Sequence, residues 1–460
     1  MPIYDSHQRN AIDQLVEDFS RRGLSRREFL KRAMATGLSV SAASTLLAAC
    51  GGSGGTSSVI QSNKVDLLTT WGGDELDSFK AVVGPFESQN GITINIESTK
   101  DVNATLTTRL AGNNPPDIAV LPNPGKMQQL ASQNHLIALD SFLDMGTVHS
   151  DYSSAWTDLG SYKGHLYAIF YKAANKGTVW YSPTQFQANG YQVPATWDDM
   201  ISLSTQIASS GKFPWSMGVE SGSASGWPAA DWIAQIYLNQ SGPDKYDKWV
   251  AHTIPWTDPS IKTAFQTFGQ ITSGTHYING APQSILATNY QPASYPPFTS
   301  PPQAYMYYLG DFTETFITGQ FKTATPGTDF NFFPFPTINS AYKGAVTGGA
   351  DLITAMRNTT AVQKLVTYLE TAKAQEIWVK RGGFTSPNKK VDLSAYPDPV
   401  AKASAQQLQS ANIYRFGADD LMPAQVEDAF WKAMLSYIST PDQLDSILSN
   451  MESVAAQSYH

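Results

Sequence analysis

Between Val65 and Ala131, strand-like apolar runs alternate with helix-period segments, and that alternation constrains the fold more than any other feature of the chain. Val65 to Thr70 is a β-branched, apolar run that reads as a buried strand. Trp71, Gly72, Gly73, Asp74 and Glu75 make a turn, after which Leu76, Phe79, Val82, Val83 and Phe86 recur at helical spacing. Ile92 to Glu97 alternates apolar and polar as a second strand. Val102 to Leu110 is a short helix, stopped by the turn Asn113 to Pro116. Ile118 to Leu121 is a third strand, and Met127, Leu130 and Ala131 open another helix. Strand and helix in turn predict an α/β fold with a mostly parallel sheet and ligands at the carboxyl ends of its strands. The loops Trp71–Glu75 and Pro122–Gly125 occupy such ends. Helical stretches follow at Trp197–Ala208, Ala230–Leu238 and Ile261–Thr272, then an irregular, Pro- and Tyr-rich segment at Ala281–Gln303. Phe332–Phe335, Gly344–Ile353 and helices at Ala361–Val379 and Pro423–Ser439 complete the chain.

The first fifty residues speak of destination. Ser25, Arg26, Arg27, Glu28, Phe29, Leu30 and Lys31 match the twin-arginine export pattern, read by a dedicated translocase. Ala33 to Ala49 is apolar but diluted by Thr36, Gly37, Ser39, Ser41, Ser44 and Thr45. A membrane span needs ~20 apolar residues, so this run reads as a cleaved signal core. Leu47, Ala48, Ala49 and Cys50 resemble a lipobox, whose cysteine is acylated and becomes the new N-terminus. Cys50 is the only cysteine in the sequence. A lone cysteine is usually buried as a small hydrophobe, but the Gly/Ser-rich tract beginning at Gly51 offers nothing to bury it. Residues 1–49 are therefore expected to be a signal, and 50–63 a lipid anchor and flexible linker. Met1 to Leu24 is a polar, charged extension without an assignment.

Of 31 Lys/Arg and 39 Asp/Glu, seven and five precede Cys50, leaving 24 against 34 and a net charge of −10 over the rest. That balance argues against nucleic acid, whose binders neutralise phosphate with basic patches. A body of roughly 400 residues exceeds one comfortable core, so two domains are expected. Internal disulfides are absent for want of a second cysteine. The 11 Trp and 21 Tyr often stand beside Gly, Pro or Asp. Aromatics with polar neighbours suit a sugar, whose C–H face lies on a ring while its hydroxyls are bonded from the side. The seven histidines never pair at ligand spacing, so no metal is expected. No G-x-x-x-x-G-K-[ST] occurs, so any ATPase is a separate chain. Gly51-Gly52-Ser53-Gly54-Gly55 fits a hydrolase elbow formally, but no strand precedes it and no helix follows, which leaves it as linker.

Six or more short segments, in order, carry a family resemblance. They are Leu67 to Ile96, Pro115-Pro116-Asp117, Lys163-Gly164-His165-Leu166-Tyr167-Ala168 and Trp180-Tyr181-Ser182. Pro194-Ala195-Thr196-Trp197-Asp198-Asp199, Gly348-Gly349-Ala350-Asp351 and Arg381-Gly382-Gly383-Phe384-Thr385-Ser386-Pro387 complete the set. From Val65 onward the chain resembles an extracellular carbohydrate-binding protein of an ABC importer, of the maltose-binding-protein type. The resemblance implies a two-lobe periplasmic-binding-protein type II fold with a hinge, closing on ligand. It places lobe crossings near Tyr171, Tyr342 and Pro387. Residues 64–171 plus 342–386 then make one lobe and 172–341 plus 387–460 the other. It also implies a monomer without a cofactor, a carbohydrate ligand, and docking on the membrane permease subunits of the importer.

The same resemblance supplies candidate ligand contacts. Trp71, Asp74 and Glu75 follow the first strand, and Asn123 follows the third. Glu75 stands equally well as a first-turn carboxylate favoured by the helix dipole. Trp227, Asp231 and Trp232 are the most sugar-like constellation, with core tryptophans as the alternative. Asp311 and Phe312, in Gly310-Asp311-Phe312, resemble a loop bearing a stacking aromatic. Trp431 matches a C-terminal helix position that stacks a sugar ring. Gly349 and Asp351 read as a glycine loop allowing close backbone approach, as do Gly383 and Phe384. Lys172 and Lys176 stand near a crossing and can bridge lobes, although exposed lysines are commoner. The segment around Trp227 resembles that of α-glucoside binders, which makes an α-linked di- or oligosaccharide the first choice. The alternative is a secreted glycoside hydrolase using paired carboxylates among Asp74, Glu75, Glu220 and Asp231. The resemblance makes them hydroxyl acceptors and the protein no enzyme.

Overall fold

The computed structural model describes residues 59–273 and 276–459. Cys50, Arg26, Arg27 and the predicted signal lie outside the described residues. The expected linker does not stay free as far as Asn63. Ile60 exchanges backbone hydrogen bonds with Asn358 and Thr360, and Ser62 N donates to Thr360 Oγ1, so the strand is fastened before it begins.

The opening alternation is present: β1 (Lys64–Thr69), α1 (Asp74–Asn90), β2 (Thr93–Ser98), α2 (Val102–Ala111), β3 (Ile118–Leu121) and α3 (Pro124–Ser132). Val65 and Leu67 on one face of β1 and Leu68 on the other are buried, and Phe79, Val82, Val83 and Phe86 are the stripe that docks α1. β1 runs parallel to both β2 and β3. Further along come β4 (Ala168–Asn175), β5 (Thr178–Tyr181), β6 (Trp215–Ser216), α4 (Trp227–Ser241) and β7 (Met306–Tyr308). β8 (Asn331–Pro334), β9 (Val346–Ala355), β10 (Tyr414–Phe416), α5 (Ala418–Leu421) and α6 (Ala424–Ser439) finish the framework.

Two sheets divide these strands. The first has the order β10-β9-β3-β1-β2, with β4 also paired to β9. β9 is antiparallel to β3 and β4, so the sheet is mixed rather than mostly parallel. The reason is connectivity: β9 arrives from the second sheet and enters at the carboxyl end of β3, so it must run the other way. The second sheet has the order β8-β5-β7-β6 and is antiparallel except for β6 beside β7. Each sheet has its own core, one around Leu68, Phe79, Val120, Leu352 and Trp378, the other around Trp232, Trp249, Phe268 and Phe430.

The chain crosses between the sheets three times. Lys176 and Gly177 join β4 to β5, residues 335–345 join β8 to β9, and Gly417 joins β10 to α5. The third crossing therefore lies at Gly417 and not near Pro387. Val391, Tyr396 and Ala405 pack into the first core, β10 pairs with β9, and Asn175 Nδ2 donates to Ser404 Oγ at 3.2 Å. The first crossing likewise follows Asn175, because β4, after a register shift at Tyr171, stays paired with β9 as far as Asn175. The helical stretch Ala361–Val379 is two helices, broken at Thr371, whose hydroxyl caps Ala374 N. A last helix, Leu444–Ser458, was not foreseen.

Candidate functional site

The carboxyl end of β1 delivers Trp71, but its ring is core, 1% exposed and packed on Phe79 at 4.8 Å and Trp378 at 5.0 Å. Only its edge is polar: Nε1 donates to Asp351 Oδ2 at 2.6 Å. Asp351 and Gly349 are not in a loop but within β9, opposite Lys172 and Ala174 of β4. Asp74 is exposed on the first turn of α1. Glu75, one residue on, stands in that first turn, as its helix-dipole reading has it, and bonds Lys172 Nζ at 3.0 Å. Lys172 is buried, which alone would lower its pKa, but Glu75 and Asp351 outweigh burial and raise it. Burial lifts Asp351 to about 6 against the pull of Lys172 and of the Trp71 N–H.

A second cluster gathers at the crossings. Lys176 Nζ lies 2.7 Å from Asp231 Oδ1 on α4 and 3.2 Å from Asp420 Oδ2 on α5. Asp419 Oδ2 accepts from Trp431 Nε1 at 2.8 Å. Glu427 joins from α6. Gly417 is required here, because a Cβ would sit 2.7 Å from Asp420 Oδ2. Electrostatically the cluster is lopsided: Asp231, Asp419, Asp420 and Glu427 gather around Lys176, with half-buried Lys126 the further cation that Glu427 feels. Desolvation raises Asp231 and Asp420 to about 7 although Lys176 opposes it, and holds Glu427 well above the usual range. Lys176 itself stays charged, its carboxylate neighbours overriding burial. Burial outweighs the ammonium charge at hand, so Asp231, Asp420 and Glu427 hold their protons to higher pH than free carboxyls do. Asp231 Oδ2 and Asp419 Oδ1 are buried without a hydrogen-bond partner. Asp231 is 1% exposed and turned to Lys176, so it braces the crossing and offers a ligand no face.

Half-buried rings line the same region. Trp227 packs edge-on to Tyr290 at 5.1 Å and tilted to Phe312 at 6.1 Å, and Phe312 meets Phe316 at 5.9 Å. Lys176 Nζ lies 5.9 Å from the Trp227 ring centre, and Lys172 Nζ the same distance from that of Phe312. Trp431 is also half-buried, and its backbone passes Gly226, the residue before Trp227. With φ at 109°, Gly226 lies so close that a Cβ would be 2.3 Å from Trp431 O. Trp232 is different: 1% exposed among Trp215, Phe268, Tyr308 and Phe335, it is core. Its place three residues before Gln235, on a helix buried nearly all round, leaves it no exposed side. Phe384 is core too, between Tyr171 and Trp378. Gly383 marks a close approach, since its Cβ would fall 2.2 Å from Thr315 Cγ2. Asp311 is tied into the crossings by Thr385 Oγ1 at 2.7 Å and Ser404 Oγ at 2.9 Å.

Asn123 follows β3 as expected, but its amide reaches Asp420 and Glu427 rather than open space. Tyr290, Phe316, Asp419, Asp420 and Glu427 escaped sequence reasoning. Tyr290 lies in the Pro/Tyr-rich segment, and the acids stand in the first turns of α5 and α6, where carboxylates are ordinary. The carboxylates drawn for a hydrolase are separately engaged. Glu75 holds Lys172, Glu220 holds Asn289 and the Gly222 N–H, and Asp231 holds Lys176. Among the described residues no helix is long and apolar enough to cross a membrane.

Comparison with known proteins fits a ligand site of this kind. The osmoprotective compounds-binding protein GgtB of Synechocystis is 33% identical over 380 residues, 82% of this chain and 89% of that protein. The alpha-glucosides-binding periplasmic protein AglE of Rhizobium meliloti is 29% identical over 396 residues, 84% of this chain and 86% of its own. Both are named as binding proteins. The solved solute receptor AcbH superposes with a TM-score of 0.75 at 19% identity, covering 86% of this chain and all but 1% of that one. That likeness concerns the two-lobe fold. The family described as bacterial extracellular solute-binding protein matches residues 72–376, and the chain belongs to it.

Proposed function

We propose that this chain captures a neutral carbohydrate, an α-linked di- or oligosaccharide, between its lobes and delivers it to the membrane subunits of an ABC importer. The observation that carries the reading is the group of half-buried rings, Trp227, Tyr290, Phe312 and Trp431, set beside Lys172, Lys176 and their carboxylates. Rings supply apolar faces for a pyranose and the charged groups supply hydroxyl acceptors and donors. An anionic sugar is disfavoured because its carboxylate would compete with Glu75, Asp231 and Asp420 for the ammoniums of Lys172 and Lys176, which those groups already hold. The names of the relatives, for alpha-glucosides and for osmoprotective compounds, support a glycoside ligand. Export through Arg26 and Arg27 and acylation of Cys50 would hold the protein, as a monomer, outside the membrane it serves.

A thermal-shift screen of the full chain against maltose, trehalose, sucrose and galacturonate tests this. At 100 times its Kd a ligand adds ~2.7 kcal/mol of stability. A rise with at least one neutral glucoside and none with galacturonate is expected. A rise with galacturonate alone would reverse the charge argument.

A further inference from the structure

Asn123 occupies the N-cap position of α3 with extended backbone, where an Asn side chain ordinarily caps the helix. It does not. Its Nδ2 donates instead to Asp420 Oδ1 at 3.1 Å and to Glu427 Oε1, and its Oδ1 accepts from Asn103 Nδ2 at 3.1 Å. Both Nδ2 hydrogens are thereby spent, Oδ1 already accepts one bond, and the side chain is 3% exposed, so it turns away from a ligand. Asn123 and Asn103 belong to the first sheet and its helices, whereas Asp420 and Glu427 stand on α5 and α6, packed in the second core. The bond therefore spans the lobes.

Backbone contact reinforces it. Gly125, two residues on, is so close to the second lobe that a Cβ would lie 2.5 Å from Met422 O. A second cross-lobe bond lies elsewhere: Ser223 Oγ donates to Asp101 Oδ2 at 3.0 Å, while Asp101 Oδ1 caps Ala104 N. All of these contacts lie between the two lobes, so any separation of the lobes at this edge would break them.

We infer that Asn123 is a positioning residue, a cross-lobe latch that sets the equilibrium between open and closed forms and hence the affinity for every ligand by the same factor. The inference rests on the reading that solute is held between the lobes. Its logic is that apparent affinity scales with the fraction of protein in the competent conformation. A residue that changes this fraction without touching ligand cannot discriminate among ligands.

Small-angle scattering of the ligand-free full chain, with calorimetric titration of maltose, trehalose and sucrose, tests it. Asn123→Ala is expected to increase the radius of gyration over wild type. It should weaken every sugar that binds wild type by a common factor of about tenfold, or ~1.4 kcal/mol. Ser223→Ala, on an exposed side chain that risks no core, should show the same pattern with a smaller factor. Unchanged scattering in both variants overturns the latch, and so do factors that differ among the sugars, which would make Asn123 a ligand contact. If no sugar binds wild type, scattering alone decides the latch, and only the carbohydrate reading falls.

Discussion

Replacing Lys176 by Met keeps an unbranched stem of similar reach and deletes the ammonium that serves Asp231 and Asp420. The cost should depend steeply on pH, and the structure gives its form. In the wild type both carboxyls titrate at about 7, against 3.8 when unperturbed. The folded state thus binds more protons than the unfolded chain between those values, so stability falls as pH rises through that window. In the wild type the fall ends near pH 7, where Lys176 lets the carboxyls ionise. Without the ammonium they must stay protonated, or be buried as bare charges, at higher pH as well. The variant's deficit then grows by ~1.4 kcal/mol per pH unit for each carboxyl, up to the ~3–5 kcal/mol typical of breaking a buried pair. Urea unfolding at pH 6, 7, 8 and 9 should give a deficit below ~2 kcal/mol at pH 6 and ~3–5 kcal/mol at pH 9. Adding Asp231→Asn to the variant should recover much of the loss at pH 9. A deficit that is the same at pH 6 and pH 9 would refute the reasoning, because it would show that Lys176 acts by packing and not by charge.

The two tryptophans of α4 should separate cleanly. Trp232→Ala, in the core, should lower stability by ~3–5 kcal/mol with affinity unchanged in the folded fraction, whereas Trp227→Ala should weaken sugar binding by ~1–3 kcal/mol, by analogy with buried aromatic anchors, and shift melting little. Gly226→Ala should reduce both stability and affinity, since its Cβ meets Trp431 O at 2.3 Å and must push Trp227 and Trp431 apart; melting and titration read the two effects. Cys50→Ala should leave the body folded and release it from membranes after a salt wash, scored by fractionation.

Much of the fold was legible because the first lobe obeys simple periods. Leu67, Phe79, Val82 and Ile118 stand where strand and helix spacing place core residues, and the structure buries all four. The direction of β9 was not legible, because it depends on where the chain re-enters from the second lobe and not on its own residues. The crossing at Gly417 was hidden for the same reason: a three-residue strand, β10, has too few positions to show a period. In the candidate site, residue type does not separate half-buried rings from core ones. Trp227 and Trp232 look alike in sequence, and only the orientation of α4 makes one half-buried and the other core. Lys176 was weighed against an exposed reading because the carboxylates that bury it come from positions 231 and 420, far apart in the chain.

The central claim is reversible capture of a glycoside at the aromatic group between the lobes. Its most direct measurement is calorimetric titration of the full chain with maltose, trehalose and sucrose, followed by chromatography of the cell contents. The account predicts saturable binding of at least one of them, one sugar per chain, with the sugar recovered unchanged. Absence of saturable binding by all three, or steady release of monosaccharide that Asp231→Asn abolishes, would contradict it.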